Sequence, residues 1–193
     1  FAVWGWREVG PSNWQRTRNP EVLGQPCEVI PGVFLGDIDD AWDIEGLLHR
    51  QVQAVLTLCP EQLEQDLARR SWRLSERLGA AGLTHLVLTA HDNEYQDIVH
   101  AVLPDATRFL NEQFAVGRPV LVHCSTGVNR SAAVVVGYLS LHLKRPLLEA
   151  FELTVQCRGL ILTNYHFRRL LGRAACAAAD QNRSLDDDDL VWV

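Results

Sequence analysis

Three short runs of apolar residues, each of strand length, are spaced along the middle of the chain. They cover residues 52–58, 83–88 and 119–122 and are rich in Val and Leu. Runs that are apolar on both faces suit strands buried between helices, so they predict a central sheet covered on both sides. Just before them, residues 27–36 place a Pro-Gly turn between two apolar stretches, which predicts a hairpin-like start of the domain.

Segments with helical spacing of apolar residues alternate with these strands. Residues 61–78 carry four leucines at this spacing, followed by Gly79, and predict an amphipathic helix. Its opposite side carries a set of arginines, which we interpret as a solvated face and not as a substrate-binding strip: Arg69, Arg70, Arg73 and Arg77. Other helices are predicted at 38–50, 96–115, 130–143, 146–158 and 164–178. The alternation predicts an α/β fold with a central, mostly parallel sheet flanked by helices.

The ends of the chain differ in pattern from its middle. Residues 1–26 contain three tryptophans among arginines and turn formers without a sustained period, which indicates an N-terminal extension packed on the domain. Residues 27–178 form the predicted domain. Residues 179–193 include a run of four aspartates and are predicted to be an acidic C-terminal tail.

The net charge narrows the range of partners. Eighteen basic and 24 acidic side chains give a charge of -6, which opposes non-specific attraction to nucleic acid or to an anionic membrane. No apolar run approaches the roughly 18 residues of a spanning helix, so we expect no membrane span and an intracellular, cytoplasmic or nuclear protein.

The cysteines are odd in number and widely spaced. They are Cys27, Cys59, Cys124, Cys157 and Cys176, and none forms a CxxC pair. This spacing argues against a disulfide framework or a structural zinc site and favours a reducing compartment. We expect neither a metal nor another cofactor.

The strongest chemical signal is the stretch VLVHCSTGVNRSAAVVV. An apolar strand leads through residues 123–130 directly into an apolar helix, a geometry that gathers backbone N–H groups around an anion. The same groups stabilise a thiolate, so Cys124 is predicted to be ionised at neutral pH. Arg130 provides a planar, two-pronged donor for phosphate oxygens, and Gly127 lets the backbone approach the ligand.

Residues 123–130 match the HCxxGxxR signature, and the chain therefore resembles the cysteine-based protein tyrosine phosphatases, in particular the dual-specificity branch. The resemblance covers roughly residues 27–172. Because no separate docking domain is seen, it points to the small, atypical subgroup. It implies a protein tyrosine phosphatase-like fold, Cys124 as nucleophile, Arg130 as phosphate ligand and Ser131 as a hydroxyl that steadies the departing thiolate. The substrate-binding positions implied are Ser125, Thr126, Gly127, Val128 and Asn129.

Hydrolysis also needs a general acid, because an alkoxide or phenoxide leaves poorly unless it is protonated. Asp92 follows the strand at 83–88, and loops after parallel strands meet at one edge of the sheet. The resemblance also places the family's general acid there and implies that Asp92 later acts as base. Asp97 is the alternative, although its position at the start of a helix is typical of a carboxylate that only favours the helix dipole.

Three polar residues near this site are interpreted as structural. His123 points to the opposite side of the strand end from Cys124, so it cannot act as its base in a protease-like pair. Arg158 and Asn164 occupy positions where the family has recurrent polar residues, and support of the loop is expected of them.

The predicted substrate is a phosphoprotein carrying phosphotyrosine, phosphoserine or phosphothreonine. The variable loop positions contain no basic residue, unlike the lysine-bearing loop of phosphoinositide phosphatases. The alternatives are a non-catalytic phospho-binding adaptor and a phosphatase acting on a non-protein ester. Oligomeric state is left open.

Cys59 closes the strand at 52–58. If that strand lies parallel to the strand before Cys124, the two residues reach the same edge of the sheet. Cys59 is then a candidate resolving cysteine for an oxidised Cys124, and a packing role is the equal alternative.

Overall fold

The computed structural model describes residues 6–8, 14–16, 25–59 and 65–188, and it describes side chains for residues 25–58 and 73–180. Two short strands, β1 (Trp6–Glu8) and β2 (Trp14–Arg16), pair with each other. The predicted packing of the tryptophans and the end of the acidic tail lie outside the described residues.

The sheet predicted for the middle of the chain is present and has five strands. They are β3 (Cys27–Ile30), β4 (Val33–Gly36), β5 (Ala54–Cys59), β6 (Thr84–Thr89) and β7 (Val120–His123). Their order is β3-β4-β7-β5-β6, with β3 antiparallel to β4 and all other pairs parallel. The α/β fold with a mostly parallel sheet is therefore confirmed.

Helices cover both faces of the sheet. They are α1 (Ile38–Trp42), α2 (Ile44–His49), α3 (Gln65–Ala80), α4 (Leu103–Ala115), α5 (Arg130–Gly137), α6 (Leu147–Arg158) and α7 (Tyr165–Asp188). A π-helical turn, Tyr138–His142, continues α5. On the first face, the strands pack with residues of α4–α7 in a large core that includes Leu56, Val122 and Phe167. On the second, Val55 and Leu121 pack with residues of α1–α3.

The helix bounds differ from the predicted ones in ways that side chains explain. The predicted helix at 38–50 is broken at Asp43, because the Asp43 side chain accepts from the N–H of Gly46 and starts α2. The helix predicted from residue 96 begins only at Leu103, and α7 continues beyond the predicted residue 178 to Asp188. The predicted end at Gly79 is also displaced, since α3 runs through Gly79 to Ala80.

The parallel strands deliver their carboxyl ends to one edge of the sheet. Gly36, Cys59, Thr89 and His123 end β4, β5, β6 and β7 there. The loops that follow these ends hold the candidate site, as parallel α/β sheets generally do.

Candidate active site

The loop between β7 and α5 surrounds the sulfur of Cys124. The Cys124 side chain is buried, and the hydroxyl of Ser131 donates to its Sγ at 3.2 Å. Burial alone would raise the pKa of this thiol. The Ser131 hydroxyl, the N–H of Ser131, the charge of Arg130 and the N–H of Thr126 outweigh burial and lower that pKa below its ordinary value. The site thus favours the thiolate form of Cys124.

Arg130 is the last residue of the loop and the first of α5. The residue is 7% exposed, and its guanidinium donates from Nη1 to the carbonyl of Leu58 at 3.4 Å and from Nη2 to Oγ of Ser125 at 3.0 Å. The Nε atom is buried and has no hydrogen-bond partner among the described residues. A buried donor without a partner is costly in a folded protein, and an anionic ligand is the kind of group that this edge of the guanidinium can bind.

Gly127 lies at a crowded point of the loop. Its φ is +68°, and a Cβ built there would lie 2.7 Å from the carbonyl oxygen of Gly36 and 2.8 Å from Nε of Arg158. The position requires glycine both for its left-handed backbone and for lack of space.

Arg158 lies next to the loop at Gly127. The guanidinium is buried and donates from Nη2 to Asp37 at 2.5 Å and from Nη1 to Asp40 at 3.2 Å. Burial raises the pKa of Asp40 to about 6, because loss of hydration outweighs the N–H of Asp37 and the charge of Arg158. These two carboxylates fix the arginine against Gly127, which matches the supporting role expected of Arg158.

Asp92 lies beside the Cys124 loop on an exposed turn after β6. Its two carboxylate oxygens are held separately. The side-chain amide of Asn129 donates to Oδ2 at 3.0 Å, and that of Asn164 donates to Oδ1 at 3.0 Å. Asn129 is in turn oriented through its Oδ1, which accepts from the hydroxyl of Thr163 and the N–H of Asn164. The loop after β6, the Cys124 loop and the segment before α7 therefore meet at this carboxylate.

Asp97 has a different environment. Its carboxylate accepts from the N–H and Nδ1 of His100, both at 2.9 Å. Partial burial would raise the pKa of Asp97, but these bonds and the N–H of Val99 lower it below its usual value. It is thus occupied in holding the turn before α4.

The remaining predicted loop residues divide between backbone and side-chain roles. Ser125 and Thr126 are exposed, and the N–H of Thr126 acts on the sulfur. The carbonyl of Val128 accepts from the N–H of Leu162 at 2.8 Å. Asn129, predicted as a substrate-binding position, directs its side chain to Asp92.

Sequence reasoning missed several residues behind the loop. Thr57 of β5 contacts His123 of β7 at 2.6 Å, and Asp37 and Asp40 bind Arg158. Each is a common polar residue, and only the aspartates carried a sequence signal, as acidic residues at the start of a helix.

One prediction about the cysteines is wrong. Cys27 of β3 and Cys157 of α6 form a disulfide, with their Cα atoms 5.6 Å apart and a sequence separation of 130. The odd number and wide spacing of the cysteines hid this pair, because α6 packs against β3 only in the folded chain. The two described free cysteines are Cys124, which is buried, and Cys176, which is exposed.

Comparison with known proteins agrees with this geometry. Residues 66–175 match the family model of the dual specificity phosphatase catalytic domain. The chain is 31% identical over 148 residues to mouse dual specificity protein phosphatase 2, covering 75% of this chain and 41% of that protein. It is 32% identical over 156 residues to human dual specificity protein phosphatase 13B, covering 80% of this chain and 74% of that protein. The chain thus belongs to the dual-specificity phosphatase family, within the protein tyrosine phosphatase superfamily.

A solved structure supports the same assignment. Human DUSP28 superposes with a TM-score of 0.64 and 25% sequence identity, over 79% of this chain and 93% of that chain. The chain spans less than half the length of dual specificity protein phosphatase 2. No helix in the described part of the chain is both long and apolar enough to cross a membrane.

Proposed function

We propose that this chain is an active protein phosphatase that hydrolyses phosphotyrosine and phosphoserine or phosphothreonine through a cysteinyl-phosphate intermediate. The observation that carries the proposal is the buried Nε of Arg130, which has no hydrogen-bond partner in the described part of the chain and lies in the loop that also stabilises the Cys124 thiolate. An anion-binding edge and a nucleophile in one short loop suit attack on a phosphate ester.

In the first step, the thiolate of Cys124 attacks phosphorus and the bond from phosphorus to the ester oxygen breaks. The dianionic phosphoryl group lies on the loop N–H groups and on Arg130, whose two-pronged edge matches its equatorial oxygens. Protonated Asp92 donates its proton to the leaving oxygen, so a neutral alcohol or phenol departs.

In the second step, water attacks the phosphocysteine. Ionised Asp92 takes a proton from this water, the bond from sulfur to phosphorus breaks, and phosphate leaves. Cys124 regains its thiolate, which the Ser131 hydroxyl stabilises at 3.2 Å. Asp92 regains its proton, and the site returns to its starting state without a cofactor.

The proposed substrate is a phosphoprotein, and an intracellular location stays a prediction. The Cys27–Cys157 disulfide removes the argument from the cysteines for a reducing compartment. The loop has no basic residue at its variable positions, and this absence favours a protein substrate over a highly anionic phosphoinositide. A phospho-binding adaptor would need neither a thiolate nor a positioned acid.

An assay on an aryl phosphate and on a doubly phosphorylated peptide tests the proposal. The wild-type chain should release phosphate from both, vanadate should inhibit it, and Cys124→Ser should be inactive while still binding arsenate. Binding without turnover in the wild-type chain would instead establish the adaptor. Substrate capture by Asp92→Ala would then identify the phosphoprotein.

A further inference from the structure

A chain of four hydrogen bonds connects helix α3 to the backbone of the nucleophile. The contacts are Ser75 Oγ to His85 Nδ1 at 2.9 Å, His85 Nε2 to Thr57 Oγ1 at 2.7 Å, Thr57 Oγ1 to His123 Nε2 at 2.6 Å, and His123 Nδ1 to the carbonyl of Cys124 at 3.3 Å. We call this set the His85 relay. It crosses β6, β5 and β7 on the sheet face that α3 covers.

The direction of each hydrogen bond in the relay follows from the bond between His123 and the Cys124 carbonyl. A carbonyl oxygen only accepts, so Nδ1 of His123 must carry a proton. Burial lowers the pKa of His123 to about 4, so its ring is neutral near pH 7 and Nε2 must accept. Thr57 has one hydroxyl proton and gives it to that nitrogen.

The same logic continues outward. Since the Thr57 hydroxyl donates to His123, its oxygen accepts from Nε2–H of His85. Burial lowers the pKa of His85 to about 4 as well, so its ring is also neutral and its Nδ1 accepts from the hydroxyl of Ser75. One proton arrangement satisfies all four contacts with neutral rings.

We propose that His85 is a positioning residue for Cys124, acting through Thr57 to hold His123 in the tautomer that donates to the Cys124 carbonyl. The inference rests on the proposed phosphatase function of the loop. In the other tautomer, His123 would present a lone pair to that carbonyl, and the peptide after Cys124 would rotate away. The N–H of Thr126, which stabilises the sulfur, would then no longer point toward it.

The charged groups nearest His123 cannot set its tautomer in place of the relay. Asp37 and Arg130 act on His123 through their charges. Asp37 is bound to Arg158, and Arg130 donates to Leu58 and Ser125. Thr57 is the hydroxyl that reaches Nε2, and His85 is the donor that orders Thr57.

Two substitutions of His85 test whether its hydrogen-bond donor is needed or only the volume that its side chain fills. His85→Gln keeps an N–H that can reach Thr57, whereas His85→Leu fills similar space without a donor. Ring ¹⁵N shifts of His123 and the pH dependence of Cys124 alkylation by iodoacetate are measured in each variant. Neither needs turnover. Thr57→Val serves as a second break in the relay, and thermal unfolding reports whether each variant is folded.

We expect the Nδ1–H tautomer of His123 in the wild type and in His85→Gln. His85→Leu and Thr57→Val should give mixed tautomers, a higher thiol pKa and a fall of about tenfold in kcat/KM. The proposal is overturned if folded His85→Leu keeps both the His123 shifts and the alkylation profile of the wild type. It is also overturned if the thiol pKa and kcat/KM change as much in His85→Gln as in His85→Leu. An inactive wild type with an intact His123 tautomer would refute the phosphatase function and leave the relay standing.

Discussion

The side-chain amide of Asn164 donates to Oδ1 of Asp92 at 3.0 Å and so ties the start of α7 to the candidate general acid. The same side chain caps α7, because its Oδ1 accepts from the N–H of His166 at 3.0 Å. Asn164 therefore links the stability of a helix end to the orientation of the candidate general acid.

The two tasks of Asn164 can be separated by substitution. Asn164→Ser keeps a capping oxygen but is too short to reach Asp92. We expect its rate on a phenyl phosphate, a poor leaving group, to fall about tenfold or more, since general acid catalysis contributes about 100-fold to 10,000-fold. An activated ester, which leaves without a proton, should be hydrolysed at nearly the wild-type rate. Equal losses on both esters would assign Asn164 to the helix alone.

Replacing Arg130 tests the anion-binding edge. Arg130→Lys keeps the charge but cannot make a two-pronged contact, so kcat/KM should fall about 100-fold or more. Arg145→Lys is the matched control, because Arg145 forms an exposed pair with Glu149. Steady-state kinetics of the two variants provide the comparison. Full activity of Arg130→Lys would show that the loop does not bind phosphate in this way.

Gly127 is predicted to tolerate no side chain. Gly127→Ala should lower the free energy of unfolding by at least about 2 kcal/mol, because it combines a left-handed backbone with a close contact to Gly36 and Arg158. Chemical denaturation measures the loss.

Two other glycines serve as controls for that measurement. Gly82 also has a positive φ of +76°, and Gly79 does not, and a Cβ at either meets nothing within 4 Å. Gly82→Ala reports the backbone cost alone, while Gly79→Ala should stabilise α3 by roughly 0.5–1 kcal/mol. If Gly127→Ala costs no more than Gly82→Ala, the contact with Arg158 is unimportant.

How far the sequence carries can be judged from these residues. The sheet, Cys124, Arg130 and the neighbourhood of Asp92 follow from local patterns, because strand runs and a strand-loop-helix motif are contiguous in sequence. Contacts between segments that are distant in sequence do not follow from local patterns. Thr57 and His123 are 66 residues apart, and Arg158 and Asp40 are 118 residues apart. Their pairing depends on how strands and helices are arranged in the folded chain, which no local pattern specifies.

Acid should destabilise the fold through His123, which is buried, and His85, which is half-buried. The pKa values of His85 and His123 fall from 6.5 to about 4 on folding, with burial as the main cause. Below pH 6.5 the unfolded chain therefore binds more protons, so their contribution to stability is full above pH 6.5 and is lost as the pH falls toward 4. Between pH 4 and pH 6.5, each histidine should account for the uptake of up to about one proton on unfolding.

Asp40 opposes this trend, since its pKa is raised to about 6 in the folded chain and its ionisation costs stability as the pH rises from 3.8. Comparison with His85→Gln removes this background. The difference in unfolding free energy between wild type and His85→Gln should shrink from pH 7 to pH 4. A difference independent of pH would mean that His85 titrates alike in both states.

Oxidation of Cys124 should be reversible because of Cys59, whose role stays a prediction. β5 ends at Cys59 and runs parallel to β7, with Thr57 in register with His123, so the backbone brings Cys59 to the edge of the sheet that carries Cys124. Peroxide converts the Cys124 thiolate to a sulfenic acid, and the Cys59 thiol can then form a disulfide with release of water.

Mild peroxide should therefore inactivate the wild type, and dithiothreitol should restore its activity. The Cys59→Ser variant should recover much less activity, because its Cys124 oxidises further. Cys176→Ser removes a free, exposed cysteine and should recover like the wild type. Peptide mass spectrometry should detect a Cys59–Cys124 link beside the Cys27–Cys157 disulfide, and equal recovery of the two variants without that link would leave Cys59 with a packing role.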